Sequence, residues 1–338
     1  MGSRILGIAT YLPEHRETIE DIRKEHPEWP IDKIANKTGI VARRLAAPDE
    51  TAGDMGYQAA SRLLERFPEA RQQVDYLIYC SQSPDHLIPS TACVLQHRLG
   101  LAKSCGAFDF QLGCSGYVYG LQLAHALLSS GQARMILLVT SDTYSKYIHP
   151  GDRTVRMLFG DGAAATLVAE DPNEQPALGP FVVGTDGEGA PNLIVPAGGF
   201  RLPRSDQTAA EYVDSAGCVR TQDNLYMDGQ AVFSFAISQV PPLVSATLDR
   251  AGLTVDDIDW FVYHQANRFM LENLAMCSRI PAEKMVYYMD EVGNTVSSSI
   301  PMAIAHYVEQ GKILPGHRLL LVGFGVGYSW GACLVQWR

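Results

Sequence analysis

Basic residues are in deficit in this sequence: 27 Lys and Arg stand against 37 Asp and Glu, a formal net charge of −10. A generic nucleic-acid binder needs a dense basic surface, so that class is excluded, and an acidic partner must find a local basic patch. Long apolar runs are scarce as well. None approaches the roughly 20 residues that cross a bilayer, so no membrane span is expected. The opening Met1-Gly2-Ser3-Arg4-Ile5-Leu6 lacks a signal-peptide core, and Leu6 breaks the myristoylation pattern, so the chain reads as cytoplasmic. Paired cysteines are missing too. Cys80, Cys93, Cys105, Cys114, Cys218, Cys277 and Cys333 are odd in number and include no C-x-x-C. A disulfide framework and a zinc site are thereby excluded, and no metal is expected.

Apolar residues make up 46% of the 338 positions and charged residues 19%. That composition supports a sizeable core, in about two domains of ~150 residues or one large duplicated fold. The chain repeats itself. Asp75 is followed by Tyr76-Leu77-Ile78-Tyr79-Cys80, and Asp259 by Trp260-Phe261-Val262-Tyr263-His264. Each run reads as a buried strand, and Cys80 and His264 fall at the same step. Cys114 and Asn294 each open a helix-length run that ends at a glycine seventeen residues on, Gly131 and Gly311. Each run then leads into a strand. These features predict a layered α/β architecture from two strand–helix–strand halves, residues 1–171 and 226–338, with 172–225 as an insertion or cap.

Cys114 sits where unpaired helix N–H groups and the positive dipole end face its sulfur, which favours the attacking thiolate. The bland alternative is a small buried cysteine at a crowded helix start. His264 ends a strand, where α/β sites gather, although a lone histidine is more often a satisfied core residue. Asn294 in Gly293-Asn294-Thr295 reads by itself as a turn and cap. The repeat alters that balance, because two matching helix starts should converge on one cleft. Gly325-Val326-Gly327 superficially suggests a nucleotide loop, but too little chain follows for the helix such a site needs. It reads instead as a turn that brings backbone N–H groups to a substrate carbonyl. Phe159-Gly160-Asp161-Gly162 is its counterpart in the first half, with a structural role expected.

Thr38-Gly39-Ile40 with Arg43, Pro89-Ser90-Thr91-Ala92, Gly113-Cys114-Ser115-Gly116, Phe159-Gly160-Asp161-Gly162, His264-Gln265-Ala266-Asn267, Gly293-Asn294-Thr295 and Trp330-Gly331 follow one another along almost the whole chain. In this order they resemble the thiolase-fold condensing enzymes, most closely the β-ketoacyl-acyl-carrier-protein synthase III group. The resemblance implies a five-layered α/β/α/β/α fold, a homodimer and decarboxylative Claisen condensation of an acyl-CoA with a malonyl thioester. No tightly bound cofactor is implied, and acyl carrier protein is a candidate partner. Cys114 would take the acyl group, and His264 and Asn294 would hold the malonyl thioester oxygen. Trp29, Lys37 and Arg153 match positions at the nucleotide end of coenzyme A.

Several departures from the family pattern favour a specialised enzyme over a housekeeping initiator. Lys37 replaces an arginine, Val326 interrupts a run of glycines, and Ile88 stands where a phenylalanine often gates the acyl pocket. Arg268 and Arg279 are what remains of a carrier-docking basic set, and the 172–225 stretch is long. Two rival readings stay open: acyl transfer from Cys114 to an amine or hydroxyl without decarboxylation, and a papain-like hydrolase with the same Cys, His, Asn order.

Overall fold

A computed structural model describes residues 2–173, 177–215 and 217–338. Among these, two large mixed sheets carry the architecture. The first orders β1 (Gly2–Tyr11), β2 (Tyr76–Cys80), β3 (Gly106–Phe110), β4 (Met135–Asp142) and β5 (Gly162–Asp171) as β1-β5-β4-β2-β3. The second orders β6 (Leu178–Thr185), β7 (Trp260–Tyr263), β8 (Arg318–Gly325) and β9 (Ser329–Gln336) as β7-β8-β9-β6. The pairings correspond: β2 with β4 and β7 with β8 are parallel, while β4–β5–β1 and β8–β9–β6 run antiparallel. Only β3 lacks a full counterpart, and there the second sheet has a single parallel bridge from Phe261 to Met285.

The repeated aspartates have the same task in both halves. The Asp75 carboxylate accepts the N–H groups of Arg134 at 2.7 Å and Met135 at 3.2 Å, and that of Asp259 accepts Arg318 N–H at 2.7 Å. Each thus sets the register of the parallel neighbour strand. The apolar residues that follow are buried on both faces because helices cover both sides.

The principal helices are α1 (Ile19–Glu25), α2 (Ile31–Thr38), α3 (Ala52–Arg66), α4 (Thr91–Arg98), α5 (Gly116–Ser129), α6 (Gly229–Ala251), α7 (Arg268–Cys277) and α8 (Ser299–Glu309). Helix α3 starts on a capping box in which Thr51 and Asp54 exchange hydrogen bonds. It packs with α4 on the outer face of the first sheet, with Met55, Leu63, Leu77 and Val139 in one cluster. Helices α5 and α8 lie between the sheets, so that Tyr117, Leu121, Ile300 and Ile304 meet Ile78, Leu138, Val262 and Leu319. Helices α6 and α7 cover the second sheet through Phe235, Val240, Leu271 and Leu274. The five layers are therefore α/β/α/β/α.

Two expectations need correction. The second half does not start at residue 226: β6, at 178–185, lies inside the stretch read as an insertion and forms the edge of the second sheet, as β1 does in the first. Residues 174–176 and 216 of that stretch are outside the described residues. The cap is thus the segment between β6 and α6, matched in the first half by the segment between β1 and α3 that carries α1 and α2. Second, α6 is long and apolar enough to cross a membrane. Phe235, Ala236, Val240, Leu243, Val244 and Leu248 bury its apolar side against β6, β8 and β9, as in a core helix.

Candidate active site

The frame delivers three side chains to one cavity of about 520 Å³, lined by Cys114, Leu158, Phe159, Leu193, Met227, Val232, His264, Met270, Asn294 and Phe324 among others. Cys114 lies two residues before α5, His264 directly follows β7, and Asn294 precedes a short turn leading into α8. The first half's Phe159-Gly160 turn holds Asn294 by its backbone. Asn294 N–H donates to the Leu158 carbonyl at 2.9 Å, and Gly160 N–H donates to the Asn294 carbonyl at 3.0 Å. Behind this turn, buried Arg43 donates to the Phe159 carbonyl at 2.7 Å and pairs with Glu17. Gly293 has φ +75°, and a Cβ there would come within 3.1 Å of Gly160 N and Leu158 O, so a side chain is disfavoured both by backbone strain and by crowding.

Every polar side chain of His264-Gln265-Ala266-Asn267 has a hydrogen-bonding task, and Ala266 N–H donates to the His264 carbonyl at 2.8 Å. Gln265 donates to the Tyr263 and Val286 carbonyls and accepts Tyr288 N–H, which ties the end of β7 to the segment beside it. Asn267 caps α7 by accepting Met270 N–H at 2.9 Å. His264 is buried, with Nδ1 2.7 Å from Ser299 Oγ and Nε2 3.4 Å from Asn294 Nδ2. Asn294 Oδ1 accepts Val296 N–H at 2.9 Å, which turns the amide nitrogen toward the imidazole. Burial lowers the His264 pKa to about 3, so the ring is neutral across the physiological range.

The thiolate expected at Cys114 is not what its surroundings favour. Helix α5 begins at Gly116, with Ser115 between it and the cysteine. Burial, and then the charge of Asp142, push the Cys114 thiol up to about 12. The N–H groups of Val326 and of Cys114 itself bear on the sulfur and oppose that rise. The Gly325-Val326-Gly327 turn thus faces the cysteine with Val326 in its middle. A Cβ on Gly325 would lie 2.7 Å from Cys114 Cβ and 2.8 Å from Sγ, so the turn reaches the sulfur only as glycine. Ser115 and Ser329 join their hydroxyls at 2.6 Å and fasten the turn to the start of α5.

A second cavity, of about 1530 Å³, opens outward and shares Leu158, Met227, Gly229, Asn267 and Met270 with the first. The two meet at these residues, so the outer one is the approach from the surface toward Cys114. Lys37 and Arg153 line the outer part, as does Lys33, which sequence reading missed. Its spacing of one helical turn from Lys37 on α2 was the available signal. Trp29 does not line the passage: one ring face is stacked on His26 at 3.9 Å, and it packs beside Ile22, Ile31 and Met157. Ile88 does not line the inner cavity either. It is 87% exposed on the loop between β2 and α4, with Leu87 at 80% beside it, and none of the described residues covers them. Arg268, at the start of α7, packs on Gly39 and lies 5.3 Å from the Tyr287 ring centroid. Arg279 is exposed beyond the far end of that helix, about 16 Å along at 1.5 Å per residue, so the two do not form one patch. Ser299 was also missed; a run of three serines opening an otherwise apolar helix was its signal.

A duplicated five-layered fold with a cysteine, a neutral histidine and an amide gathered at matching strand and helix ends defines a thiolase-fold condensing enzyme. Profiles of 3-oxoacyl-[acyl-carrier-protein] synthase III match residues 108–187, and of its C-terminal region residues 248–337. A curated relative from Halalkalibacterium halodurans, β-ketoacyl-[acyl-carrier-protein] synthase III 2, is 38% identical over 99% of this chain and 96% of its own. A solved 3-oxoacyl-(acyl-carrier-protein) synthase III is 50% identical with a TM-score of 0.98 and covers both chains fully. The 3-oxoacyl-(acyl-carrier protein) synthase of Burkholderia xenovorans is 37% identical with a TM-score of 0.92, over 100% of this chain and 94% of that one. The chain belongs to the β-ketoacyl-acyl-carrier-protein synthase III family.

Proposed function

We propose that the chain condenses an acyl group from coenzyme A with a malonyl thioester, with Cys114 as nucleophile and His264 and Asn294 as paired donors. The observation that carries this reading is one cavity bounded by a buried thiol and two neutral nitrogen groups, and reached through a passage with Lys33, Lys37 and Arg153 at its outer end. Cys114 Sγ attacks the thioester carbonyl as its proton leaves. The oxyanion rests on the N–H groups of Cys114 and Val326, and coenzyme A departs as the thiol. The malonyl thioester then loses CO₂. The resulting enolate oxygen takes hydrogen bonds from His264 Nε2 and Asn294 Nδ2, and its carbon displaces the Cys114 sulfur from the acyl carbon.

Fixed neutral donors suit an enolate, because they hold the developing charge without protonating the carbon that must attack. A papain-like mechanism needs a thiolate–imidazolium pair, and here burial opposes both charged forms. The reading extends to a homodimer. In support, β3 is an edge strand, and the exposed Leu87–Ile88 loop is tied to it where Asp109 of β3 accepts the Thr91 and Ala92 N–H groups. Ile88 would then act on a partner's pocket rather than its own. An acidic carrier would approach the mouth at Lys33, Lys37, Arg153 and Arg268, with Arg279 as a separate contact. The departures at Lys37, Ile88 and Val326 are the grounds for a specialised starter.

Intact-mass measurement after incubation with a panel of acyl-CoAs tests the first step. One acyl group should appear on the wild type and none on Cys114→Ala, with CO₂ released when malonyl thioester follows. Acylation of an added amine or alcohol without CO₂ would replace condensation with simple transfer.

A further inference from the structure

Ser299 has no part in the reaction as described so far, yet it is the side chain nearest the back of the imidazole. We propose that Ser299 is a positioning residue that donates its hydroxyl proton to His264 Nδ1, so that the ring proton sits on Nε2 and faces the cavity. The inference rests on the condensing role given to His264 and adds the group that fixes its tautomer.

The hydrogen-bond inventory around Ser299 Oγ allows two arrangements. The hydroxyl lies 2.7 Å from His264 Nδ1 and 2.9 Å from the Val296 carbonyl, and it accepts Gln265 N–H at 3.3 Å. It has a single proton to give. If that proton goes to Val296, the short Nδ1 contact requires a proton on Nδ1, and Nε2 presents a lone pair. If it goes to Nδ1, Nε2 carries the proton. The Val296 carbonyl is already satisfied by Ser299 backbone N–H, so it does not depend on the hydroxyl. On the other side of the ring, the Asn294 amide is held nitrogen-first, and its 3.4 Å from Nε2 is long for a hydrogen bond. That separation fits two donors side by side aimed at a common third atom. Ser299 is buried behind the ring, so water does not compete for Nδ1.

The Val296 carbonyl, 2.9 Å from Ser299 Oγ, is the acceptor left beside Nδ1 once the hydroxyl is removed. In Ser299→Ala it becomes the remaining partner for Nδ1. A carbonyl can only accept, so it draws the proton to Nδ1 and leaves a lone pair on Nε2 toward the enolate oxygen. Condensation should then fall by about 10²–10³, the usual cost of losing one oxyanion donor. Acylation of Cys114 should stay within about threefold, because its oxyanion rests on backbone N–H groups elsewhere.

Nitrogen-15 spectra of histidine-labelled protein, with His264 assigned by comparison with His264→Gln, read the tautomer without any turnover. We expect a protonated Nε2 in the wild type and in Ser299→Thr, and a protonated Nδ1 in Ser299→Ala. Ser299→Thr should also restore condensation. A wild type protonated at Nδ1 overturns the inference even if Ser299→Ala does not fold, as does an unchanged tautomer in that variant. Equal loss of acylation and condensation in Ser299→Ala overturns it too. A wild type that takes up acyl groups yet never condenses would instead count against the role given to His264, whatever its tautomer.

Discussion

The two halves share a frame and differ in what they set at its equivalent ends. In the first, the step five residues after the register-setting aspartate is Cys80, whose thiol donates to the Leu112 carbonyl at 3.1 Å. A Cβ on Gly116 would come within 2.4 Å of that sulfur, so Cys80 is walled in by α5 and contributes packing only. In the second half the same step is His264, open to the cavity. The helix starts both reach the cavity, with the thiol of Cys114 from the first half and the amide of Asn294 from the second. On the proposed mechanism one half would hold the acyl group and the other the charge. The Phe159-Gly160 turn of the first half fixes Asn294 in place, so neither half forms the site alone.

The sharpest way to break this division is to exchange its two strand-end residues in turn. His264→Ala should lower condensation by about 10²–10³ and leave acylation of Cys114 within about tenfold, since only condensation uses the donor pair. Cys80→Ala, at the matching step, should leave both rates within about twofold and cost stability by about 1 kcal/mol, the ordinary cost of a buried substitution. Single-turnover acylation and CO₂ release on both variants measure the contrast. Comparable losses of condensation in the two would show that the strand ends act together rather than by half.

The repeat made much of this legible from the residues. Asp75 and Asp259 stand out because each must satisfy backbone N–H groups of a neighbouring strand, a need that survives duplication. Cys114, His264 and Asn294 could be paired for the same reason. What stayed hidden depends on contacts between remote segments. The elevated Cys114 pKa comes from burial and Asp142, not from its own helix, and Trp29 packs against a cluster that includes Met157. β6 reads as part of an insertion because an edge strand, flanked by Pro172 and interrupted by Pro180, lacks the continuous apolar run of a central one. The exposure of Ile88 could not be read from the family position it matches, because that match says nothing of which segments cover it.

A smaller effect sharpens how the halves share control of the nucleophile. Asp142, at the end of β4, is buried, and burial raises its pKa to about 7. Gln82 N–H donates to it at 2.8 Å, and Ser297 of the Asn294 segment donates by its hydroxyl. Its charge is the second cause of the Cys114 rise. Because the thiol titrates at about 12, thiolate is scarce near neutrality, and alkylation of Cys114 should climb about tenfold per pH unit from about pH 8 to 9 with no plateau, and less steeply around pH 7, where Asp142 gains its charge. In Asp142→Asn the amide oxygen keeps the Gln82 bond and Ser297 can turn to accept, so the charge is removed with little change of shape. The alkylation profile should shift to lower pH by up to about one unit, the size of a single partly compensated charge effect. A plateau below about pH 7 in the wild type would mean that the helix start governs the sulfur after all.

The smallest effect concerns the outer passage, which the halves also divide. All of its lysine and arginine side chains, Lys33, Lys37 and Arg153, come from the first half, while Met227, Phe233, Phe269 and Met270 of the second supply most of the large apolar surface. Lys37 Nζ lies 4.7 Å from the Phe269 ring centroid, so the two contributions meet there. An exposed cation near a polyphosphate is worth little, about 0.2–1 kcal/mol, and salt screens it. Lys37→Met should therefore raise KM for acyl-CoA only about two- to fivefold at low ionic strength, with kcat unchanged, and the difference should fade as salt is added. Phe269→Ala removes apolar contact instead, so its effect on KM should persist at high salt. Titrating acyl-CoA against each variant at two ionic strengths separates the cases. A salt-independent loss in Lys37→Met would mean that the lysine works through its contact with Phe269, and that charge and apolar surface in the passage are not supplied separately.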